Sequence, residues 1–131
     1  MRLAEQAIDP FQLLVSARRR ELEGWCEVAA YLCAFKQHGV QWWAGIADNE
    51  REALDSPELQ LPHTTAQQYR ELWEVFGHMD PDRLAMVRPR LLYQTIRAVR
   101  RGEVEPEDAV ADALAQPWGQ LRYKYDKPDG W

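Results

Sequence analysis

Threonine, glutamine and arginine side chains lie close together in the stretch from residue 61 to residue 76, LPHTTAQQYRELWEVF. Hydroxyl, carboxamide and guanidinium groups are the ones that hydrogen-bond to base edges in the major groove of DNA. The same residue types also cover the solvent side of ordinary surface helices, and the polar pattern alone favours that plainer interpretation. The candidates for base reading are Thr64, Thr65, Gln67, Gln68 and Arg70.

An amphipathic helix is expected to position these side chains. Thr64 followed by Gln67 is a capping-box signature, so the helix should begin near Thr64 or Thr65. Apolar residues then recur at intervals of three and four, which places them on one helix face. The five polar candidates are therefore predicted to face outward. The apolar face consists of Ala66, Tyr69, Leu72, Trp73 and Phe76.

A second group of side chains has the chemistry to contact phosphate. Residues 80–102 carry six arginines against two acids, for a charge of +4, whereas residues 48–76 carry two bases against seven acids. A basic stripe can equally be a solvated face, and the net charge of −5 weighs against a nucleic-acid binder. The candidates for phosphate contact are Arg88, Arg90, Arg97, Arg100 and Arg101.

The rest of the chain predicts further helices and no strand, hence an all-α fold in one compact domain, residues 1–131. A long N-terminal helix from Asp9-Pro10 to Gly39 should be kinked or divided at Gly24. A helix-turn-helix-like centre should follow, and its short first helix should be capped by Asp48 or Asn49. Asp80-Pro81 and Pro106 should each open a later helix, and Pro89 should either end the first of these or begin the next. The apolar stripe from Leu91 to Val99 predicts a helix that closes at Gly102. Residues 1–8 and the irregular aromatic tail, 117–131, should be less ordered or packed as extensions.

Several classes of site have no support in the sequence. It contains no Gly-rich phosphate loop and no Ser nucleophile elbow, and the three histidines, His38, His63 and His78, lack metal-ligand spacing. Cys26 and Cys33 are seven residues apart on a predicted helix, about 10 Å of axial rise, which is too far for a disulfide. We therefore expect no catalytic residue, no metal, no cofactor and no enzymatic activity.

The chain has no apolar run long enough to span a bilayer. Its first residues, MRLAEQAIDP, also lack the apolar core of a signal peptide, because acids interrupt them. These two features predict a cytoplasmic protein that does not bind a membrane.

The order of several short motifs resembles a known class of protein. A helix of the form Trp25-x-x-Val28-Ala29-x-x-Leu32 is followed by Ser56–Leu59, by Leu61–Tyr69, by Arg90–Tyr93 and by Arg101–Ala109. This order resembles small helix-turn-helix proteins of phages and mobile elements, over about three quarters of the chain. The resemblance implies that residues 61–76 are the recognition helix of a sequence-specific transcription regulator bound to double-stranded DNA.

The sequence is also compatible with two other functions. A small acidic phage-type protein can instead bind a host nucleic-acid-binding protein, such as RNA polymerase or a defence complex, through Glu50, Glu52, Asp55 and Glu58. A structural subunit, for example a homodimer packed through the long first helix, is the third alternative. We favour DNA binding, because the polar helix start has suitable chemistry and the motif order agrees with it.

Overall fold

The computed structural model describes residues 9–20 and 24–115. All regular structure in these ranges is helical, with no strand, which confirms the predicted all-α class. None of the helices in them is long and apolar enough to cross a membrane. The expectations for residues 1–8 and for the aromatic tail, 117–131, lie outside the described residues. The helices are α1 (Pro10–Arg19), α2 (Cys26–Gln37), α3 (Glu50–Leu54), α4 (His63–Phe76), α5 (Pro81–Ala85), α6 (Pro89–Tyr93), α7 (Ile96–Arg100) and α8 (Pro106–Ala115).

The chain divides into two compact units, residues 1–70 and residues 71–131, and the division falls within α4. In the first unit, α1 packs against α2. In the second unit, α6 packs against α8.

The predicted long N-terminal helix is two helices, so division is the correct one of the two alternatives at Gly24. Helix α1 begins at its predicted cap, where Asp9 Oδ1 accepts the N–H of Phe11 at 2.9 Å. Helix α2 ends just before Gly39, whose φ of +66° is a left-handed conformation that glycine adopts without strain. The N–H of Val40 then donates to the carbonyl of Phe35 at 2.8 Å, which completes a Schellman cap.

Aromatic side chains fill the core of the first unit. Trp42 is only 1% exposed and stacks on Phe11 of α1, with ring centroids 6.2 Å apart. The neighbouring Trp43 is half-buried and meets Trp42 edge-on at 5.8 Å. Adjacent residues point in different directions, so Trp42 fills the core and Trp43 covers its edge.

Helix α3 begins at one of its two predicted caps, Asn49. Its Oδ1 accepts the N–H of Glu52 at 2.8 Å. Replacing Asn49 by alanine should lower the free energy of unfolding by about 1 kcal/mol, because the orphan N–H loses its acceptor. Urea denaturation measures this loss. Asn49→Asp keeps an acceptor at the same place, so equal stabilities of the alanine and aspartate variants would contradict the cap.

The segment between α3 and α4 is held by a residue from α1. Arg18 donates from Nε to the carbonyl of Leu59 at 2.9 Å and from Nη2 to the carbonyl of Gln60 at 3.0 Å. Gln60 has a φ of +44°, which a residue with a side chain rarely adopts. The guanidinium of Arg18 therefore supplies two hydrogen bonds to a turn with a strained backbone. The sequence does not indicate these bonds, because Arg18 is one of three consecutive arginines and nothing distinguishes it from its neighbours.

Three of the described helices of the second unit, α5, α6 and α8, begin at a proline. Helix α5 begins as predicted, with Asp80 Oδ1 accepting the N–H of Asp82 at 3.1 Å, and α6 begins at Pro89. The prediction of one helix that carries the stripe from Leu91 to Val99 and closes at Gly102 is wrong, because a turn separates α6 from α7. There the buried Thr95 hydroxyl donates to the carbonyl of Leu92 at 2.7 Å, a local bond that competes with a continuous helix.

Candidate functional site

Helix α4, which carries the candidate base-reading residues, begins at His63, one residue before its predicted start. Its first helical bond runs from the N–H of Ala66 to the carbonyl of Pro62 at 3.0 Å. Thr64 therefore lies inside the first turn, and its assignment as the cap is wrong. The predicted apolar face is buried apart from Trp73, which is half-buried, and its buried members are Ala66, Tyr69, Leu72 and Phe76.

Four of the five candidates for base reading lie at the surface of the first two turns of α4. Thr64 and Gln67 are exposed, and Thr65 and Gln68 are half-buried. The helix thus presents hydroxyl and carboxamide groups to solvent.

Arg70 does not join them, and the prediction that it faces outward is wrong. It is 8% exposed, and its Nη2 lies 2.6 Å from Oε2 of Glu50 on α3. The same carboxylate oxygen accepts the indole N–H of Trp42 at 3.1 Å. Arg70 follows Tyr69 on the buried side of the helix, and an acid within reach makes that burial tolerable. The α4 surface therefore has no arginine in its first two turns.

The ion pair leaves part of the guanidinium unsatisfied. Nε of Arg70 is buried and has no hydrogen-bond acceptor among the described residues. The main chain at Arg70 accepts the S–H of Cys33 at 3.4 Å, which ties α4 to α2. The sequence carries no signal for these contacts, because Glu50 and Arg70 are separated by a turn and belong to different helices.

The second candidate group is a run of residues that we call the arginine segment, residues 83–101. It contains six arginines and no acid. Every one of these arginines is exposed, including all five candidates for phosphate contact. Nη1 of Arg100 lies 3.7 Å from Glu71, and Nε of Arg101 lies 2.8 Å from Glu103. The pair of Arg101 with Glu103 joins two exposed side chains and is therefore weak enough for an arriving phosphate to replace it, whereas Glu71 is half-buried.

Glu71 also accepts a hydrogen bond from the hydroxyl of Tyr93. This bond, together with partial burial and the negative charge of Glu71, raises the pKa of Tyr93. One carboxylate therefore holds both the tyrosine that ends α6 and the arginine that ends α7. These two contacts tie Glu71 of α4 to residues within the arginine segment, and the sequence did not suggest them.

Cys26 and Cys33 of α2 form no disulfide within the described residues, and burial raises the pKa of Cys26 to about 11 from 9.0. A raised thiol pKa favours the folded state at low pH. This contribution should be complete below about pH 9 and should fade as the pH rises toward 11. Thiol labelling at about pH 8 should accordingly be slow at Cys26, because the thiolate is the reactive form, whereas Cys33 is less buried. A Cys33→Ser variant isolates Cys26, and labelling of that variant as fast as an unfolded control would contradict the prediction.

Within residues 9–20 and 24–115, no group of three or more His, Cys, Asp or Glu side chains is placed to hold a metal ion. The candidate residues form two polar surfaces, one on the first two turns of α4 in the first unit and one on the arginine segment in the second unit. The resemblance to helix-turn-helix proteins stays a prediction, because no known protein family, curated protein or solved structure matches the chain.

Proposed function

We propose that this protein binds double-stranded DNA through the arginine segment and acts as a transcription regulator. The observation that carries the proposal is the set of six exposed arginines in residues 83–101, a stretch with no acid. Guanidinium groups pair with phosphate oxygens through two parallel hydrogen bonds, which makes arginine well suited to a phosphate backbone.

The net charge of −5 does not prevent such binding. At about 0.1 M salt, charges separated by more than about 10 Å are largely screened, so a phosphate responds mainly to the charges nearest to it. In the arginine segment most of those charges are positive, and the described acids beside them, Glu71 and Glu103, are paired with Arg100 and Arg101.

Sequence preference would come from α4. Thr64 and Gln67 are exposed, and a glutamine carboxamide can donate to and accept from one adenine edge. The eight residues 55–62 between α3 and α4 exceed the three- or four-residue turn of helix-turn-helix motifs. The proposal therefore depends on side-chain chemistry and does not assume that docking geometry.

Fluorescence anisotropy with a labelled duplex tests the proposal. The logarithm of the affinity for a random duplex should fall linearly with the logarithm of the salt concentration, with a slope of about −0.9 for each phosphate neutralised. If each of the five arginines named as candidates for phosphate contact neutralises one phosphate, the slope should be about −4.5. For a duplex selected from a random pool, Gln67→Ala should reduce the preference over random sequence and leave the slope unchanged. Absence of binding to any duplex at low salt would refute the proposal, because phosphate attraction is strongest there.

A second candidate function, binding to a host nucleic-acid-binding protein, is favoured by the acidic segment, residues 48–58. This segment has five acids and one base, and Asp48, Glu52, Asp55 and Glu58 are exposed. Glu50 pairs with Arg70, so it does not belong to the exposed acids that a partner could contact, although the sequence had suggested that it would. With Arg70 buried, the exposed charge around α3 is predominantly negative and complements a basic surface.

A charge-neutral variant separates this second candidate from the first. Glu52→Gln, Asp55→Asn and Glu58→Gln together should abolish capture of a stoichiometric protein from a host lysate, and added DNA should displace that protein from the wild type. Capture that the variant retains would contradict the role of the acidic segment. DNA binding measured on the same variant reports on the first proposal alone.

A further inference from the structure

One carboxylate in the second unit is contacted by two residues of the arginine segment. Oε2 of Glu71 accepts a hydrogen bond from the hydroxyl of Tyr93, and Oε1 lies 3.7 Å from Nη1 of Arg100. Glu71 itself belongs to α4 and lies outside the segment in sequence. Its two oxygens thus meet two different groups, one a neutral hydroxyl and the other a charged guanidinium.

These two groups are also the kind that proteins use to hold a phosphate of DNA. Arginine guanidinium and tyrosine hydroxyl groups both donate hydrogen bonds to phosphate oxygens. The hydrogen bond to Glu71 raises the pKa of Tyr93, whereas the positive charges of Arg100 and Arg97 act on that pKa in the opposite direction. A negative oxygen beside the tyrosine hydroxyl therefore lies in the field of two arginines, which suits a phosphate as well as a carboxylate.

The two acids that pair with the segment differ in how easily a phosphate can replace them. Glu103, the partner of Arg101, has a side chain that is 57% exposed, so solvent competes for that pair. The side chain of Glu71 is only 23% exposed, and it keeps a second bond from Tyr93 when Arg100 moves. Arg100 itself is exposed, so a phosphate can approach it but meets the negative charge of Glu71 there.

We propose that the Tyr93 hydroxyl and Arg100 form a phosphate site for DNA, and that the carboxylate of Glu71 occupies this site in the free protein. The inference rests on the proposed DNA binding and adds a self-inhibitory contact to it. Glu71 is part of a helix of 14 residues, so its carboxylate is already in place and a phosphate must displace it to use Arg100. The wild type should therefore neutralise fewer phosphates than its exposed arginines would allow.

Fluorescence anisotropy of the full chain with a labelled random duplex tests this inference. Glu71→Gln removes the negative charge and keeps an acceptor for Tyr93. If Arg100 then neutralises one more phosphate, the logarithmic salt slope should steepen by about 0.9 and the affinity at about 0.1 M salt should rise roughly eightfold. Glu74→Gln is the matched control, because it removes an exposed acid from the same helix, and it should leave both quantities close to those of the wild type.

A double-mutant cycle separates the release of Arg100 from a general change in charge. Arg100→Gln should weaken binding roughly eightfold in the Glu71→Gln background and clearly less in the wild type, where Glu71 already withholds that side chain. Tyr93→Phe in the Glu71→Gln background should weaken binding and leave the salt slope unchanged, because the hydroxyl carries no charge. Urea denaturation of each variant shows whether it is folded under the conditions of the titration.

The outcomes distinguish this inference from the proposed function. If neither the wild type nor Glu71→Gln binds any duplex at low salt, the proposed DNA binding fails and the phosphate site falls with it. If the wild type binds and Glu71→Gln binds no more tightly than Glu74→Gln, the DNA binding is retained and the phosphate site is refuted. An equal loss from Arg100→Gln in both backgrounds would also refute the site, because the two side chains would then act independently.

Discussion

Replacing Arg70 by methionine should lower the free energy of unfolding by about 3 kcal/mol, the lower end of the range for breaking a buried ion pair. The lower end applies because the side chain of Glu50 is 24% exposed and that of Arg70 is 9% exposed. Methionine keeps the length of the aliphatic stem but cannot neutralise the carboxylate, which then retains only the indole of Trp42. Urea denaturation of the purified variant measures the loss.

A double-mutant cycle separates the ion pair from general packing. In the Glu50→Gln background, Arg70→Met should cost clearly less than it does in the wild type, because the charge that it would strand has been removed. Arg51→Met, on the same helix as Glu50, is the control. Replacing this exposed arginine should change the free energy of unfolding by no more than about 0.5 kcal/mol. A loss at Arg70 that is the same in both backgrounds would show that the pair makes no specific contribution.

Removing three charges from the arginine segment should weaken DNA binding by two to three orders of magnitude at about 0.1 M salt. The variant carries Arg88→Gln, Arg90→Gln and Arg97→Gln, all at exposed positions. Each phosphate contact contributes about 0.9 to the logarithmic salt slope, so the slope should become shallower by about 2.7 and the affinity at low salt should fall accordingly. Anisotropy titration over the same salt series gives both quantities.

A matched triple variant controls for the change in net charge. Arg19→Gln, Lys36→Gln and Arg51→Gln remove three exposed positive charges outside the segment. Both triple variants have a net charge of −8, three below the −5 of the wild type. If binding depends on the arginine segment, the control should keep a salt slope close to that of the wild type. Equal losses in the two variants would indicate an effect of overall charge and would contradict a localised phosphate contact.

Local signals in the sequence predicted most helix boundaries. Asp9, Asn49 and Asp80 cap helices through their own side chains, and Gly39 and Gly102 end helices with positive φ. Each of these features depends on a few neighbouring residues, so the sequence contains the whole cause. The apolar spacing of α4 was informative for the same reason, because helical period alone decides which residues share a face.

Features that depend on distant partners escaped prediction. Arg70 was expected in solvent, but it is buried against Glu50. Glu50 belongs to another helix, and nothing in the spacing of the two residues indicates that they meet. Arg18 likewise binds carbonyl groups 41 and 42 residues further along the chain. Thr95 shows a different case, since its hydroxyl bonds the chain locally at the point where α6 ends, although the apolar spacing had suggested a continuous helix there.

The perpendicular contact between Trp42 and Trp43, with an interplanar angle of 89°, has an optical consequence. Indoles held in a fixed asymmetric surrounding give a near-ultraviolet circular dichroism signal, and that signal disappears when packing loosens while helices persist. The pair should therefore contribute to the near-ultraviolet signal of the chain, together with its other four tryptophans. A variant that keeps its far-ultraviolet spectrum but loses this signal will have loosened its aromatic packing before its helices melt.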